Sequence, residues 1–199
     1  MRTLLGGMAT SLASGVAAAL IALPLWAAEM GDDGLHKTAW MHDTFRDLGE
    51  DLAEATANGK RFMVLIEQRG CIYCEKMHTD VFPDPEIEAM LTDDYFVVQL
   101  NMFGDVEVTD FDGEVMTEKE LVRRWGALFT PMMVFFPETS DGSEPGNRLA
   151  VVQMPGAFGK STTYDLLNWV LEDGYDGEEP FQKYHARKHN ARAAGTGSD

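Results

Sequence analysis

Phe62-Met63-Val64-Leu65-Ile66 is an unbroken apolar row, and no other stretch restricts the fold as much. A half-exposed strand alternates apolar and polar residues. A row that is apolar at every position suits a strand covered on both faces, so the fold needs a layer on each side of it. Tyr95 to Leu100, Met132 to Phe136 and Leu149 to Gln153 read as three further strands. Helical patterns separate them. Trp40, Phe45, Leu48, Leu52 and Ala55 recur at helical spacing and stop at Asn58-Gly59, a natural helix exit. A short helix follows Pro83, Asp84 and Pro85 and runs through Leu91. Thr117 and Glu120 form a capping-box pattern ahead of a helix ending near Trp125-Gly126. Ser161 is a candidate cap for a last helix through Leu166, Leu167, Val170 and Leu171, and Asp112-Gly113 is the turn signal of a small hairpin. The expected class is α/β: a central mixed sheet flanked by helices, with an N-terminal helix and a small hairpin insertion.

The apolar fraction of 45% supports such a core. The charge balance narrows function: 33 acidic against 16 basic side chains give −17, and phosphate backbones are bound through Lys and Arg, so nucleic acid is not an expected partner. Residues 1–28 carry one charge, Arg2, then a small and apolar run ending at Ala27-Ala28 before the acidic Glu29 to Asp33. This is the order of a secretory signal peptide; an uncleaved membrane anchor over Leu4 to Trp26 is the rival reading. Either way the remainder is expected outside the cytoplasm. The domain proper is placed at 35–184. From Lys183 the chain turns basic and loses apolar periodicity, and 185–199 is expected to be a disordered basic tail or to lie loosely on its own acidic body.

The chemistry follows the first strand. Cys71-Ile72-Tyr73-Cys74 comes after Gln68-Arg69-Gly70 and leads into Glu75-Lys76-Met77-His78, and the chain has no other cysteine. In a strand-to-helix turn the leading cysteine lies at a helix N-terminus, where unpaired N–H groups and the macrodipole stabilise a thiolate. Cys74, one turn on, can close a disulfide with it. The low thiol pKa makes Cys71 both a good nucleophile and a good leaving group, so the pair can cycle. Other readings stay open. A permanent structural disulfide closing so short a loop adds little stability. Haem attachment would need His where Glu75 stands. A copper or zinc carrier could use Cys71, Cys74 and His78. The acidic cluster Asp105, Glu107, Asp110, Asp112 and Glu114 fails the EF-hand spacing and reads as a solvated hairpin rim. Met132 and Met133 read as core residues, with a substrate groove as the other option.

The C-x-x-C after a buried strand, with Thr130-Pro131 heading a later one, resembles the thioredoxin superfamily. Glu67, Glu75-Lys76-Met77-His78, Gln99-Leu100-Asn101, Val108 to Gly113, Phe129-Thr130-Pro131 and Met154-Pro155-Gly156 make it similar to the periplasmic SoxW-type thioredoxins of bacterial sulfur oxidation. The resemblance implies a thioredoxin fold and a cis peptide at Thr130–Pro131, with that loop against the disulfide. It also implies substrate peptide binding by Thr130, Pro131, Ile72, Tyr73 and Gly156. Cys71 becomes the nucleophile and Cys74 the resolving thiol, with no cofactor and no metal. The implied partner is a periplasmic sulfur-carrier protein or another thiol protein, with a membrane thiol-electron transporter as reductant. Alternatives are a disulfide oxidase or isomerase, or a reductase for cytochrome c maturation. The sequence departs from the family at Leu65, six residues before Cys71, where thioredoxins carry a buried acid. Glu67 lies two residues on, on the same face by strand alternation. It is the expected proton acceptor for Cys74, the other reading being an ion pair with Arg69 or Lys76.

Overall fold

The structure, a computed structural model, describes residues 28–195. The signal segment at 1–28 therefore lies outside the described residues except for Ala28. Among the described residues no helix is long and apolar enough to cross a membrane.

Strands β1 (Glu29–Met30) and β2 (His36–Lys37) form an N-terminal hairpin, and helix α1 (Leu48–Ala57) leads into β3 (Arg61–Glu67). Helix α2 (Ile72–Lys76) runs on into a π-helical turn, Met77–Val81, and α3 (Pro85–Asp93) precedes β4 (Tyr95–Asn101). The small hairpin β5 (Glu107–Thr109) and β6 (Val115–Thr117) comes next, then α4 (Glu118–Arg124), β7 (Met132–Phe135) and the single turn α5 (Gly146–Leu149). The chain closes with β8 (Val152–Pro155), α6 (Lys160–Leu171), a 3-10 turn at Gly174–Asp176, and α7 (Phe181–Gly195).

Four strands make the central sheet in the order β4-β3-β7-β8. β3 runs parallel to β4 and antiparallel to β7, and β7 is antiparallel to β8, so the sheet is mixed as expected. Strand alternation sorts β3 onto two cores. Met63 and Leu65 pack with Met77, Phe82, Ile87 and Leu166, beneath α3 and α6. Phe62, Val64 and Ile66 pack with Leu48, Leu52, Leu121 and Trp125, beneath α1 and α4. Burial on both faces explains why Phe62 to Ile66 are all apolar, between the half-buried Arg61 and the buried Glu67.

Three local expectations change. The first helix starts at Leu48, not Trp40. Asp47 caps it, accepting from the Gly49 and Glu50 amides at 3.1 and 3.0 Å, and Arg46 just before has φ 58°. Trp40 instead lies edge-on to Phe82 at 5.3 Å, and Phe45 is fully exposed. The last strand begins at Val152, because Pro145 starts a helical turn that takes in Leu149. The last sheet-covering helix, α6, is capped at Gly159, one residue before its start, so Ser161 sits inside its first turn.

The basic tail is also ordered further than expected. Helix α7 continues to Gly195 because buried Asp165 on α6 accepts from His185 Nδ1 at 2.5 Å and from Arg192 Nη1 and Nη2 at 2.8 and 2.7 Å. Opposite charges on two facing helices supply a reason to fold that apolar periodicity did not.

Candidate functional site

β3 delivers the chain to its C-terminal end, and Gly70, at φ 70°, turns it into α2. Cys71 is the N-cap residue. Its backbone is extended (φ −79°, ψ 103°), and its Sγ accepts from the Cys74 amide at 3.0 Å. Sulfur thus occupies the place a Ser or Asp oxygen takes in other caps, facing the unpaired amides of the first turn. The two cysteines are joined as a disulfide with Cα atoms 5.2 Å apart. They differ in access: Cys71 is 8% exposed and Cys74 1%. Ile72 and Tyr73 between them are solvent-facing, at 69% and 58%.

A second loop meets this turn. The Thr130–Pro131 peptide is cis, and Thr130 Oγ1 lies 3.4 Å from Cys71 Sγ as donor. A third segment follows β8, where the Gly156 amide donates to Pro131 O at 2.7 Å. Gly156 has φ 97°, a conformation that favours glycine. Of the residues assigned to substrate binding, Thr130 and Gly156 therefore flank Pro131 beside the disulfide, while Ile72 and Tyr73 form the rim within the motif.

A family model described as thioredoxin-like domain matches residues 48–158, more than half of the chain. The chain belongs to the thioredoxin-like family. Among solved structures, a thioredoxin-fold protein from Helicobacter pylori matches at 17% identity with a TM-score of 0.51, over 74% of this chain and 98% of that one. A thioredoxin from Thermus thermophilus matches at 26% identity with a TM-score of 0.48, over 64% and 86%. No curated protein matches. The α/β thioredoxin fold and the C-x-x-C disulfide make this a thiol–disulfide oxidoreductase. Both cysteine residues are buried, Cys71 the less completely of the two.

Glu67 is at the end of β3, on the Leu65 face, and 1% exposed. Neither of the ion pairs weighed for it is among its contacts: Lys76 pairs with Asp80 at 3.7 Å. Instead its oxygens lie 3.1 and 3.2 Å from His78 Nε2, and Oε2 also accepts from Gln99 Nε2 at 2.6 Å. The carrier reading, which used His78 beside the two cysteines, loses its third ligand to this pair. Among the described residues no group of three or more His, Cys, Asp or Glu could hold a metal ion.

The surroundings of Glu67 escaped sequence reasoning. Gln99 Oε1 accepts from Lys37 Nζ at 2.6 Å, Lys37 pairs with Asp33 at 2.7 Å, and the His36 ring stacks on His78 at 4.8 Å. Burial, and then the nearby His78, lower the His36 pKa from its ordinary value. The N-terminal hairpin that supplies these groups gave no apolar signal, only His36 and Lys37 next to each other.

Three carboxylates of the acidic rim are drawn together by one arginine. Arg124 pairs with Asp110, Asp112 and Glu114 at 2.8, 2.5 and 2.9 Å, and Lys119 pairs with Asp105. Asp110 is more than rim: it is 1% exposed and also takes the Trp125 indole N–H and the Gly146 amide. Met132 and Met133 are both buried, on opposite faces of β7, as core residues.

Proposed function

We propose that this chain is a periplasmic thiol–disulfide reductase for partner proteins, with the sulfur-carrier protein of thiosulfate oxidation as its substrate. The observation that carries the direction of attack is the place of Cys71 at the helix N-terminus, where its Sγ accepts from the Cys74 amide and meets Thr130 Oγ1 of the cis-proline loop. Cys71, as thiolate, attacks a disulfide or thiol adduct on the partner. The partner's leaving sulfur departs with the bonding electrons, and a mixed disulfide through Cys71 remains. Deprotonated Cys74 then attacks Cys71 Sγ and expels the partner as a thiolate, which takes a proton from water; the partner is reduced by two electrons and Cys71–Cys74 is oxidised. A thiol reductant, assigned to a membrane thiol-electron transporter, restores the dithiol.

The motif string from Glu67 to Gly156 supports the sulfur-oxidation assignment, and the apolar stretch from Leu4 to Trp26 supports export. Ile72 and Tyr73 bring no charge near the thiolate, which favours a reducing role over a strongly oxidising one. Cys74→Ser tests the reading. The variant should accumulate a mixed disulfide through Cys71 with the sulfur-carrier protein, and Cys71→Ser should accumulate none. Adducts only with other secreted proteins would overturn the partner assignment, and no adduct at all would overturn the mechanism.

A further inference from the structure

Glu67, expected from the sequence to accept the Cys74 proton, forms a buried ionisable pair with His78, which the cysteine chemistry described so far does not use. Their side chains are 1% and 0% exposed. Gln99 fixes the proton arrangement around them. Its Oε1 accepts from Lys37, which can only donate, so its Nε2 must be the donor to Glu67 Oε2 and to His36 O, at 2.6 and 2.8 Å. Glu67 therefore accepts on one side from an uncharged amide, and among the described residues the imidazole is the one ionisable group bonded to it. On the far side of that ring, His78 Nδ1 has no hydrogen-bond partner among the described residues.

Other charged groups are held back. His36, stacked on His78 from β2, has a lowered pKa, burial being the main cause and His78 the next. Lys37 is tied to Asp33 and Gln99, and Glu75 on α2 acts on His36. Trp40 and Phe82 complete the wall. The pair also has an address relative to the sulfurs: His78 is four residues after Cys74 on one continuous helical path, which puts the two side chains on the same face, one turn apart.

We propose that Glu67 receives the Cys74 proton only as half of a Glu67–His78 unit, with His78 the positioning residue that sets the pH at which this occurs. The proposal rests on the dithiol mechanism above. Within the unit the Glu67 carboxyl oxygens face His78 Nε2 at 3.1 and 3.2 Å. When the Cys74 S–H bond breaks, the proton passes to the unit. The electron pair stays on Cys74 Sγ and forms the bond to Cys71 as the partner sulfur leaves. Such pairs titrate together, so removing either member should alter the same titration.

The test uses reduced full-length protein and an aromatic disulfide, dithiobis(nitrobenzoate). Attack by Cys71 releases one nitrothiobenzoate and attack by Cys74 a second, so the second phase reports Cys74 deprotonation. In His78→Gln and in Glu67→Gln the second phase should slow by about tenfold or more near neutral pH, with a displaced pH midpoint and an unchanged first phase. The double variant should be no slower than the slower single variant. A wild-type pH midpoint in His78→Gln, or single effects that multiply in the double variant, would overturn the proposal. Absence of the first phase in the wild type would instead overturn the dithiol mechanism. Should His78→Gln fail to fold, NMR titration of the His78 ring in wild-type protein decides: its midpoint must differ between oxidised and reduced forms, and identical titrations overturn the proposal.

Discussion

Asp51 offers a quantitative test of how this acidic chain carries its charge. It lies in the first turn of α1 at 5% exposure, and Thr44 Oγ1 donates to its Oδ2 at 3.0 Å. Burial above all, and then the neighbouring carboxylates of Asp47, Glu54 and Glu50, push its pKa up from 3.8 to about 6, against the lowering effect of the Thr44 hydrogen bond. The sign of the linkage follows. Folded Asp51 holds its proton more tightly than the unfolded chain does, so below the ordinary aspartate value both states are protonated and nothing is lost. As pH rises through about 6 the folded state must ionise in place, and stability falls. The full gap corresponds to about 3 kcal/mol, and water around this face of α1 screens it to about 1–2 kcal/mol. Asp51→Asn keeps an oxygen for Thr44 and removes the titration. Urea unfolding of both proteins between about pH 4 and pH 8 should give matching stabilities at the acid end, with the variant ahead by that amount above neutrality. A stability difference independent of pH, or a variant weaker than wild type at the alkaline end, would refute the reasoning.

Two further substitutions probe the polar groups that order the ends of the domain. Asp110→Ala should cost about 3 kcal/mol or more in urea unfolding, since it strands the buried Trp125 indole N–H and Gly146 amide and takes one of its carboxylate partners from Arg124; a loss below about 1 kcal/mol would show that these donors find other partners. Asp165 is shifted upward by burial but held below its ordinary pKa by the Arg192 and His185 hydrogen bonds, which outweigh it. Its contribution is therefore present above the ordinary aspartate range and is lost as pH falls below it. Asp165→Ala should cost about 2 kcal/mol and raise hydrogen exchange along α7, and unchanged α7 protection would show that Phe181 and Tyr184 alone hold the helix.

What the sequence disclosed and what it hid follow from range. Strands β3, β4 and β7 were legible because a buried strand writes its environment into consecutive residues, as Phe62 to Ile66 does, whereas β8, half-buried and exposed by turns, was expected three residues too early. The Thr117–Glu120 box was legible because capping is settled within one turn, and it is present, with Glu120 accepting from the Thr117 amide at 2.9 Å. The cysteine turn was legible for the same reason. Failures came where distant contacts overrode local pattern. Trp40 keeps helical spacing with residues it does not share a helix with, because it is recruited by Phe82 from across the fold. Helix α7 reads as a tail because its anchor, Asp165, is 20 residues from His185 and 27 from Arg192.

The displacement of the buried acid from the Leu65 position to Glu67 has a physical reason of the same kind. Leu65 is in the middle of β3, opposite Met133 of β7, within a cluster formed by Met63, Met77, Ile87 and Leu166. A carboxylate there would meet mainly hydrocarbon, and burying it unpaired costs several kcal/mol. Glu67 stays on that face but reaches its margin, where Gln99 from β4 and His78 from the π-helical turn both bond to it, and where the N-terminal hairpin brings Lys37 to Gln99 and stacks His36 on His78. Moving the acid by two residues keeps it beneath the helix that carries Cys74 while supplying the hydrogen bonds a buried carboxylate requires. Leucine at 65 and glutamate at 67 are thus one adjustment, and restoring an acid at 65 while neutralising 67 should not recover wild-type behaviour: Leu65→Asp with Glu67→Leu should lose stability by at least 2–3 kcal/mol in urea unfolding, whereas a stable double variant with the wild-type pH midpoint in the second phase would show that the partners of Glu67 are dispensable.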